Sequence, residues 1–368
     1  MIDYDNVCFN IAAFVAGLFV LEFGADKFVD HTAKVAARLR IPPTLIALLT
    51  AGAEWEELVV VVAAISQRRS PLAAGNILGS SISNILGAFS LGLISAPSTV
   101  IFDRSSQIYT AALLALTTLF VVIATFVKPL GRAGGGILVA TFTAYISSIA
   151  WAIYKGVVKP PEDSDSDSDS DSNSSDHDGA EGEEEEEEEV KDMFDAADLK
   201  PTPDSALQTE TQHRRRPRST TYHVVHLILG FLALSLSGYV LSHSISTLAE
   251  TFSLAGSVLG ITLLSLATTL PEKLVAVFSG ARQQPGIMVA NTAGSNIFLV
   301  TLCAGVLFLA ADLDALAGSL TPFELLSMWA ASLLLFVIVM VGGRSWMGWA
   351  SFALYLAFII CEFTANRR

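Results

Sequence analysis

Candidate carboxylates in apolar surroundings are Glu54 and Glu57 within LIALLTAGAEWEELVVVV at 45–62, which also holds Glu56, and Glu272 within GITLLSLATTLPEKLVAV at 260–277. A charged group at the centre of a membrane helix costs on the order of 2.5–3.5 kcal/mol even on the lenient insertion scale, so such residues are rarely idle. On a helix Glu54 and Glu57, three apart, share a face, and so do Ser80 and Asn84, four apart. Carboxylates, hydroxyls and an amide converging between helices form the oxygen-rich set that a hard cation such as Ca²⁺ takes, about 6–8 ligands in all. The other reading of Glu57 and Glu272 is a buried pair with a basic partner, or protonated carboxyls bonded within the bundle. Lys273 follows Glu272 directly, but one residue along a helix turns it by about 100°, so it is expected to face another part of the bundle or to snorkel. His223, His226 and His243 show no metal-ligand spacing and are expected in packing or interfacial roles. The three cysteines, Cys8, Cys303 and Cys361, argue against a disulfide framework.

The elements that must hold these residues are membrane helices. The chain of 368 residues is 52% hydrophobic, with only 16% charged residues and a mean hydropathy of +0.54, too apolar for a soluble domain of its length. Segments of roughly 20 mainly apolar residues, long enough to span a bilayer, fall at about 9–30, 42–66, 71–96, 107–127 and 134–157, and again at about 223–248, 254–281, 286–311, 321–342 and 346–364. The expected fold is therefore an all-α integral membrane protein of about ten transmembrane helices, because a lone helix satisfies its own backbone in lipid. Gly52, Gly75 and Gly79, with Ala267, Pro271 and Gly294 in the second half, allow close helix approach and local unwinding.

The two sets of five are related. An offset of 215 pairs Glu57 with Glu272, Asn76 with Asn291, Gly79 with Gly294 and Ser80 with Ser295 without a gap. Five spans per half make the second half start on the opposite side of the membrane, so two inverted five-helix repeats are expected, an architecture of transporters. Between them, 159–221 carries a Ser-Asp alternation at 164–172, a run of seven Glu at 183–189 and the basic cluster Arg214, Arg215, Arg216 and Arg218. Most of the acidic excess behind the net charge of −14 lies here, and such a stretch cannot bury a core. The expected organisation is a first membrane repeat at 1–158, a disordered acidic loop at 159–221 and a second membrane repeat at 222–368. The balance of Lys and Arg at helix ends places the acidic loop in the cytosol. The membrane is expected to be intracellular, vacuolar or endoplasmic reticulum, or the plasma membrane.

At these residues the sequence resembles the cation/Ca²⁺ exchanger superfamily, the sodium/calcium exchanger membrane region with two α-repeats. The family pattern, approximately G-T-S-x-P-E followed by G-N-x-x-G-S-N-I-F-N/D, stands here as GAEWEE with GNILGSSISN and as ATTLPE with ANTAGSNIFL. LEFGADKFV at 21–29 is similar to the family's first helix, and the acidic loop resembles that of potassium-dependent sodium/calcium exchangers. The resemblance implies ion-binding acids at Glu57 and Glu272, hydroxyl ligands at Ser80, Ser295, Thr268 and Thr269, and an amide ligand at Asn84, with the first and sixth helices sliding over this core. It departs at Ala53-Glu54 for Thr-Ser, at Glu56 for Pro, at Ser81 and Ser83 for Asn and Phe, and at Leu299 for the second repeat's acid or amide. Glu54 adds a carboxylate to the candidate set, and Leu299 removes an oxygen.

These readings lead to a secondary active antiporter and not an enzyme, exchanging Ca²⁺ or a similar cation for Na⁺ (with or without K⁺) or H⁺ at a midplane site. Its partners are those ions and membrane lipid, with no nucleic acid. No cofactor is expected beyond the transported Ca²⁺ and its monovalent counter-ion. The alternative is a non-transporting membrane scaffold or Ca²⁺-responsive regulator that keeps the fold around a degenerate site.

Overall fold

The structure, a computed structural model, describes residues 3–39, 54–154 and 220–365. The acidic loop, Gly52 and Ala53, and the first part of the expected 42–66 segment lie outside them. Apart from one antiparallel bridge between Val100 and Gly343, the described residues are helices and their connections. In the first half these are α1 (Tyr4–Arg38), α2 (Trp55–Ser66), α3 (Ser70–Ser95), α4 (Arg104–Thr125) and α5 (Val127–Tyr154). In the second half they are α6 (Thr220–Phe252), α7 (Gly256–Thr268), α8 (Leu270–Ala281), α9 (Pro285–Ala310), the short α10 (Leu313–Ser319), α11 (Pro322–Val341) and α12 (Ser345–Ala365).

Seven of the described helices are long and apolar enough to cross a membrane, and eight are if α7 and α8, bent by 50° at their junction, count as one span. The chain is thus a multi-pass membrane protein. Its outer faces carry exposed apolar side chains such as Phe19, Phe231, Leu236, Leu326 and Ile360, whereas Ser, Thr, Asn and Glu fill much of the interior. This is the distribution that lipid as solvent demands.

The sequence repeat is also a backbone repeat. α2 and α8 are both 12 residues long and start and stop 215 residues apart, and α3 and α9 begin at Ser70 and Pro285 with the same offset. The ends match in conformation. Arg68 and Gln283 both take left-handed backbone angles, φ 58° and 55°, without being glycine. The following amides close the same helix-terminal bond, Arg69 N to Ala64 O at 2.8 Å and Gln284 N to Ser279 O at 2.9 Å, which satisfies a carbonyl the helix end would orphan. Helices α3 and α9 each then widen into a π-helical stretch, Ser83–Phe89 in α3 and Leu299–Cys303 in α9.

Contacts join the halves throughout. α1 and α6 pack backbone to backbone: a Cβ on Gly24 would come within 2.9 Å of Leu234 N, and one on Gly230 within 2.7 Å of Phe28 N. Residues rising along α1 meet residues falling along α6, with Gly17 near Leu241 and Phe28 near Gly230, so the two run antiparallel. α4 and α11 do the same, with Thr117 bonded to Ser332 at 3.1 Å and Thr118 to Trp329 at 3.0 Å. Capping starts the helices of this second pair: Asp103 accepts from the amide and hydroxyl of Ser106, and Thr321 and Glu324 form a capping box. The Ser106 hydroxyl and amide hold the Asp103 carboxyl below its ordinary range.

Candidate ion-binding site

Glycine brings the site helices together. A Cβ on Gly75 would lie 2.4 Å from Ser257 O and one on Gly79 2.3 Å from Ile261 O, so α3 of the first half rests on the backbone of α7 in the second. α7 itself is π-helical over Gly260–Leu264 and ends at Thr268, where Thr269 leaves helical geometry and Pro271, lacking an amide hydrogen, opens α8. The expected unwinding of the second motif is this break. Ser80, one residue beyond Gly79, and Thr268 are thereby delivered to the same place from opposite halves.

That place is the Glu57 carboxylate, 1% exposed. Its Oε1 accepts from the Ser80 hydroxyl at 2.8 Å and the Thr268 hydroxyl at 2.7 Å, and its Oε2 accepts from the Asn76 amide. Each hydrogen bond to an ionised group is worth about 1.5–3 kcal/mol. Three such bonds, one from the other half, fix this carboxylate at the meeting point of the repeats.

The remaining oxygens are buried nearby and less engaged. Glu54 is 4% exposed, and neither of its carboxylate oxygens has a hydrogen-bond partner among the described residues. Ser295 lies within its electrostatic reach without forming a hydrogen bond of ordinary geometry. Glu272 is buried with Oε2 unpartnered among the described residues, and it lies within electrostatic reach of Glu57 and Glu54. The Asn84 amide is fully buried with neither end bonded among the described residues, and the Ser81 hydroxyl is likewise unpartnered among them. A buried polar atom left unsatisfied costs about 1–3 kcal/mol. Oxygens of these types are the ones that hard cations take as ligands.

Of the residues expected at the site, Glu57, Ser80 and Thr268 are in direct contact, and Glu54 and Glu272 lie within electrostatic reach. Asn84 and Ser295 are buried but make no bond to Glu57. Thr269 points elsewhere, donating to Ser265 O at 2.6 Å and sharing contacts with Ser83 and Lys273. Lys273 is buried and forms no ion pair with the glutamates among the described residues; its Nζ lies 2.9 Å from Ser83 Oγ. Asn76 was missed as a participant, although its repeat match to Asn291 was the available signal. Tyr355, which donates to Ser83 at 3.0 Å from α12, carried no signal in spacing.

No group of three His, Cys, Asp or Glu side chains close enough to hold a metal ion occurs among the described residues. An ion bound here must draw on hydroxyl, amide and backbone oxygens too, which is how hard cations are held. A cleft of about 630 Å³ opens between the α4–α5 junction and the start of α11, lined by residues including Phe126, Pro129, Leu320 and Pro322, and none of the carboxylates lines it. Three histidines meet at one end of α1 and α6, where His31 and His223 lie 2.9 Å apart and His226 packs on Tyr222, whereas His243 stacks on Tyr239 further along α6.

The family model described as sodium/calcium exchanger protein matches residues 9–151 and 222–364. The chain is 26% identical to CaxA of Alkalimonas amylolytica, named as a candidate antiporter, over 87% of this chain and 88% of that protein. It is 33% identical to the sodium/calcium exchanger MaX1 of Methanosarcina acetivorans over 86 residues, covering 23% of this chain and 25% of that one. Among solved structures, native YfkE superposes with a TM-score of 0.62 at 14% identity, covering 96% of this chain and 91% of the other, a likeness of fold.

Proposed function

Because the chain belongs to the sodium/calcium exchanger protein family, whose members are transporters and not enzymes, we propose that it is a secondary active antiporter exchanging Ca²⁺ for Na⁺, with or without K⁺, or for H⁺. The observation that carries this reading is the buried Glu57 carboxylate, held by Ser80 and Asn76 of its own half and by Thr268 of the other. A ligand shared between two rigid bodies changes its coordination when they move relative to one another, which is what alternating access needs. Glu57 and Glu272, assisted by Glu54, Ser80, Asn84, Ser295 and Thr268, are the proposed ion ligands. An empty site with several carboxylates resists crossing the apolar barrier, and binding of either ion load offsets that charge.

The matched helix bounds and the antiparallel packing of α1 on α6 and of α4 on α11 support two inverted repeats of five spans each, ten in all. In the proposed arrangement the repeats occupy 1–158 and 222–368 and the intervening acidic loop faces the cytosol, in a vacuolar, endoplasmic reticulum or plasma membrane.

The test is radiolabelled Ca²⁺ uptake into proteoliposomes of the purified chain under imposed Na⁺, K⁺ and pH gradients in turn, with Glu57→Gln and Glu272→Gln as controls. Gradient-driven uptake lost in both variants establishes exchange and names the counter-ion. No uptake of any divalent cation under any gradient overturns it in favour of a scaffold or regulator.

A further inference from the structure

Beside the proposed site, Lys273 makes a second set of contacts that the ligand reading of the glutamates does not use. Its ammonium lies 2.9 Å from Ser83 Oγ, 2.5 Å from Thr269 Oγ1 and 3.1 Å from the Thr269 carbonyl, with the Leu266 carbonyl at 3.5 Å. Three good acceptors meet the three hydrogens of a protonated amine. The hydroxyls close the network without conflict. Ser83 accepts from Lys273 and from Tyr355 and donates to Thr269, and Thr269 passes its own proton to Ser265 O. Every lone pair and hydrogen in this cluster is used when Lys273 is charged, whereas a neutral amine would leave one acceptor short.

The surroundings are those of a bound monovalent cation. The ligands are neutral hydroxyl and carbonyl oxygens gathered at a helix break and at the start of a π-helical stretch. No carboxylate lies within ion-pair distance of the ammonium among the described residues. The cluster joins Ser83 of the first half to Thr269, Lys273 and Tyr355 of the second, and it has no counterpart at the repeat-related positions. The repeat offset places Leu58 opposite Lys273, Phe298 opposite Ser83 and Glu54 opposite Thr269, so those positions carry an additional carboxylate in place of the cage.

We propose that the Ser83–Thr269 oxygen cage is a monovalent-cation subsite filled by the Lys273 ammonium, so that the chain carries one counter-charge covalently instead of transporting it. This rests on the antiporter reading above and adds a number to it: one fewer monovalent ion is coupled to each divalent ion than the cage would otherwise require. The fixed ammonium also offsets the additional Glu54 charge.

The test removes the tether. In the purified full-length chain held at saturating Ca²⁺ and constant ionic strength, the melting temperature is measured against Na⁺, K⁺ and ammonium for wild type, Lys273→Ala and Lys273→Met. Lys273→Ala is expected to gain a saturable stabilisation of a few degrees by one of these ions, following the linkage of ligand binding to stability. Wild type and Lys273→Met, whose cages are filled by an ammonium and an apolar chain, are expected to show none. In proteoliposomes, the reversal potential of Ca²⁺ flux for Lys273→Ala should shift by the amount of one more coupled cation. Should Lys273→Ala fail to fold, Lys273→Ser, which leaves the same space lined by a hydroxyl, replaces it. The absence of ion-dependent stabilisation in the small variants, or their failure to fold in every salt, overturns the proposal and leaves Lys273 a structural prop. A wild-type chain that moves no Ca²⁺ defeats the antiporter reading instead, and the melting series tells the two failures apart.

Discussion

The two halves share a backbone and differ in chemistry. Helix lengths, the left-handed residues Arg68 and Gln283 and the terminal hydrogen bonds recur at one offset, yet the glutamates at the centre are treated differently. Glu57 is held by three donors, whereas Glu272 keeps an unpartnered oxygen. Around them, Glu54 stands opposite Thr269, Leu58 opposite Lys273, Phe298 opposite Ser83 and Leu299 opposite Asn84. Backbone symmetry supplies two equivalent packings, and the side chains make the two approaches to the site unequal, one richer in carboxylate and the other holding an ammonium. Conservation of geometry and divergence of charge are thus separable, and mutations can address them separately.

The largest expected effect comes from the glutamates themselves. Glu57→Gln removes the charge of a proposed ion ligand and puts an amide donor where one carboxylate oxygen accepts from Asn76, a loss on the order of 3 kcal/mol that is expected to lower Ca²⁺ uptake by about a hundredfold. Glu272→Gln should lower uptake similarly but leave thermal stability unchanged, because its carboxylate is not fully bonded in the fold. Equal stability losses in both variants would break the comparison between a fixed and an open glutamate. Next is Glu54→Thr, which installs the residue found at the equivalent position of the second half. Losing a buried carboxylate without partners should raise the melting temperature, while half-saturation by Ca²⁺ moves up by about tenfold, or ~1.4 kcal/mol. A lowered melting temperature would show that Glu54 is engaged. Thr268→Val cuts the bond between halves at Glu57 and should weaken Ca²⁺ half-saturation by about fivefold, near 1 kcal/mol, read from the same uptake curves.

Much of this was legible in the sequence because membrane helices announce themselves by apolar length, and because a repeat of Glu, Asn and Gly-Ser positions cannot arise from apolar composition alone. Glu57 and Ser80 were singled out by that route, and Thr268 by the resemblance to the exchanger family. The Lys273 cluster was not. Its position 100° around the helix from Glu272 is right, but its long stem reaches back one turn to Thr269, and a hydroxyl from Tyr355, 272 residues from Ser83, completes the contacts. No spacing rule joins residues so far apart. The π-helical stretches were equally hidden, since nothing in SNILGAF or LVTLC forbids ordinary helix and only packing selects the wider turn.

The smallest prediction addresses the symmetry itself. Thr117 and Ser332 are separated by the repeat offset of 215 and hydrogen-bond to one another at 3.1 Å, each buried at the contact between α4 and α11. In the proposed inverted arrangement, equivalent residues of two halves related by a two-fold touch only where its axis passes between them, so this pair would mark that axis. Hydrogen bonds between membrane helices average about 0.6 kcal/mol in double-mutant cycles, because polar groups find other partners when the contact is lost. A cycle of Thr117→Val and Ser332→Ala, read by thermal unfolding in detergent, should therefore return a coupling near that value, with little change in uptake by either single variant. The paired variant Thr117→Cys with Ser332→Cys should cross-link within one chain under mild oxidant. Absence of both coupling and cross-link would move the axis away from these residues and, with it, the inverted relation between the halves that α1, α4, α6 and α11 support.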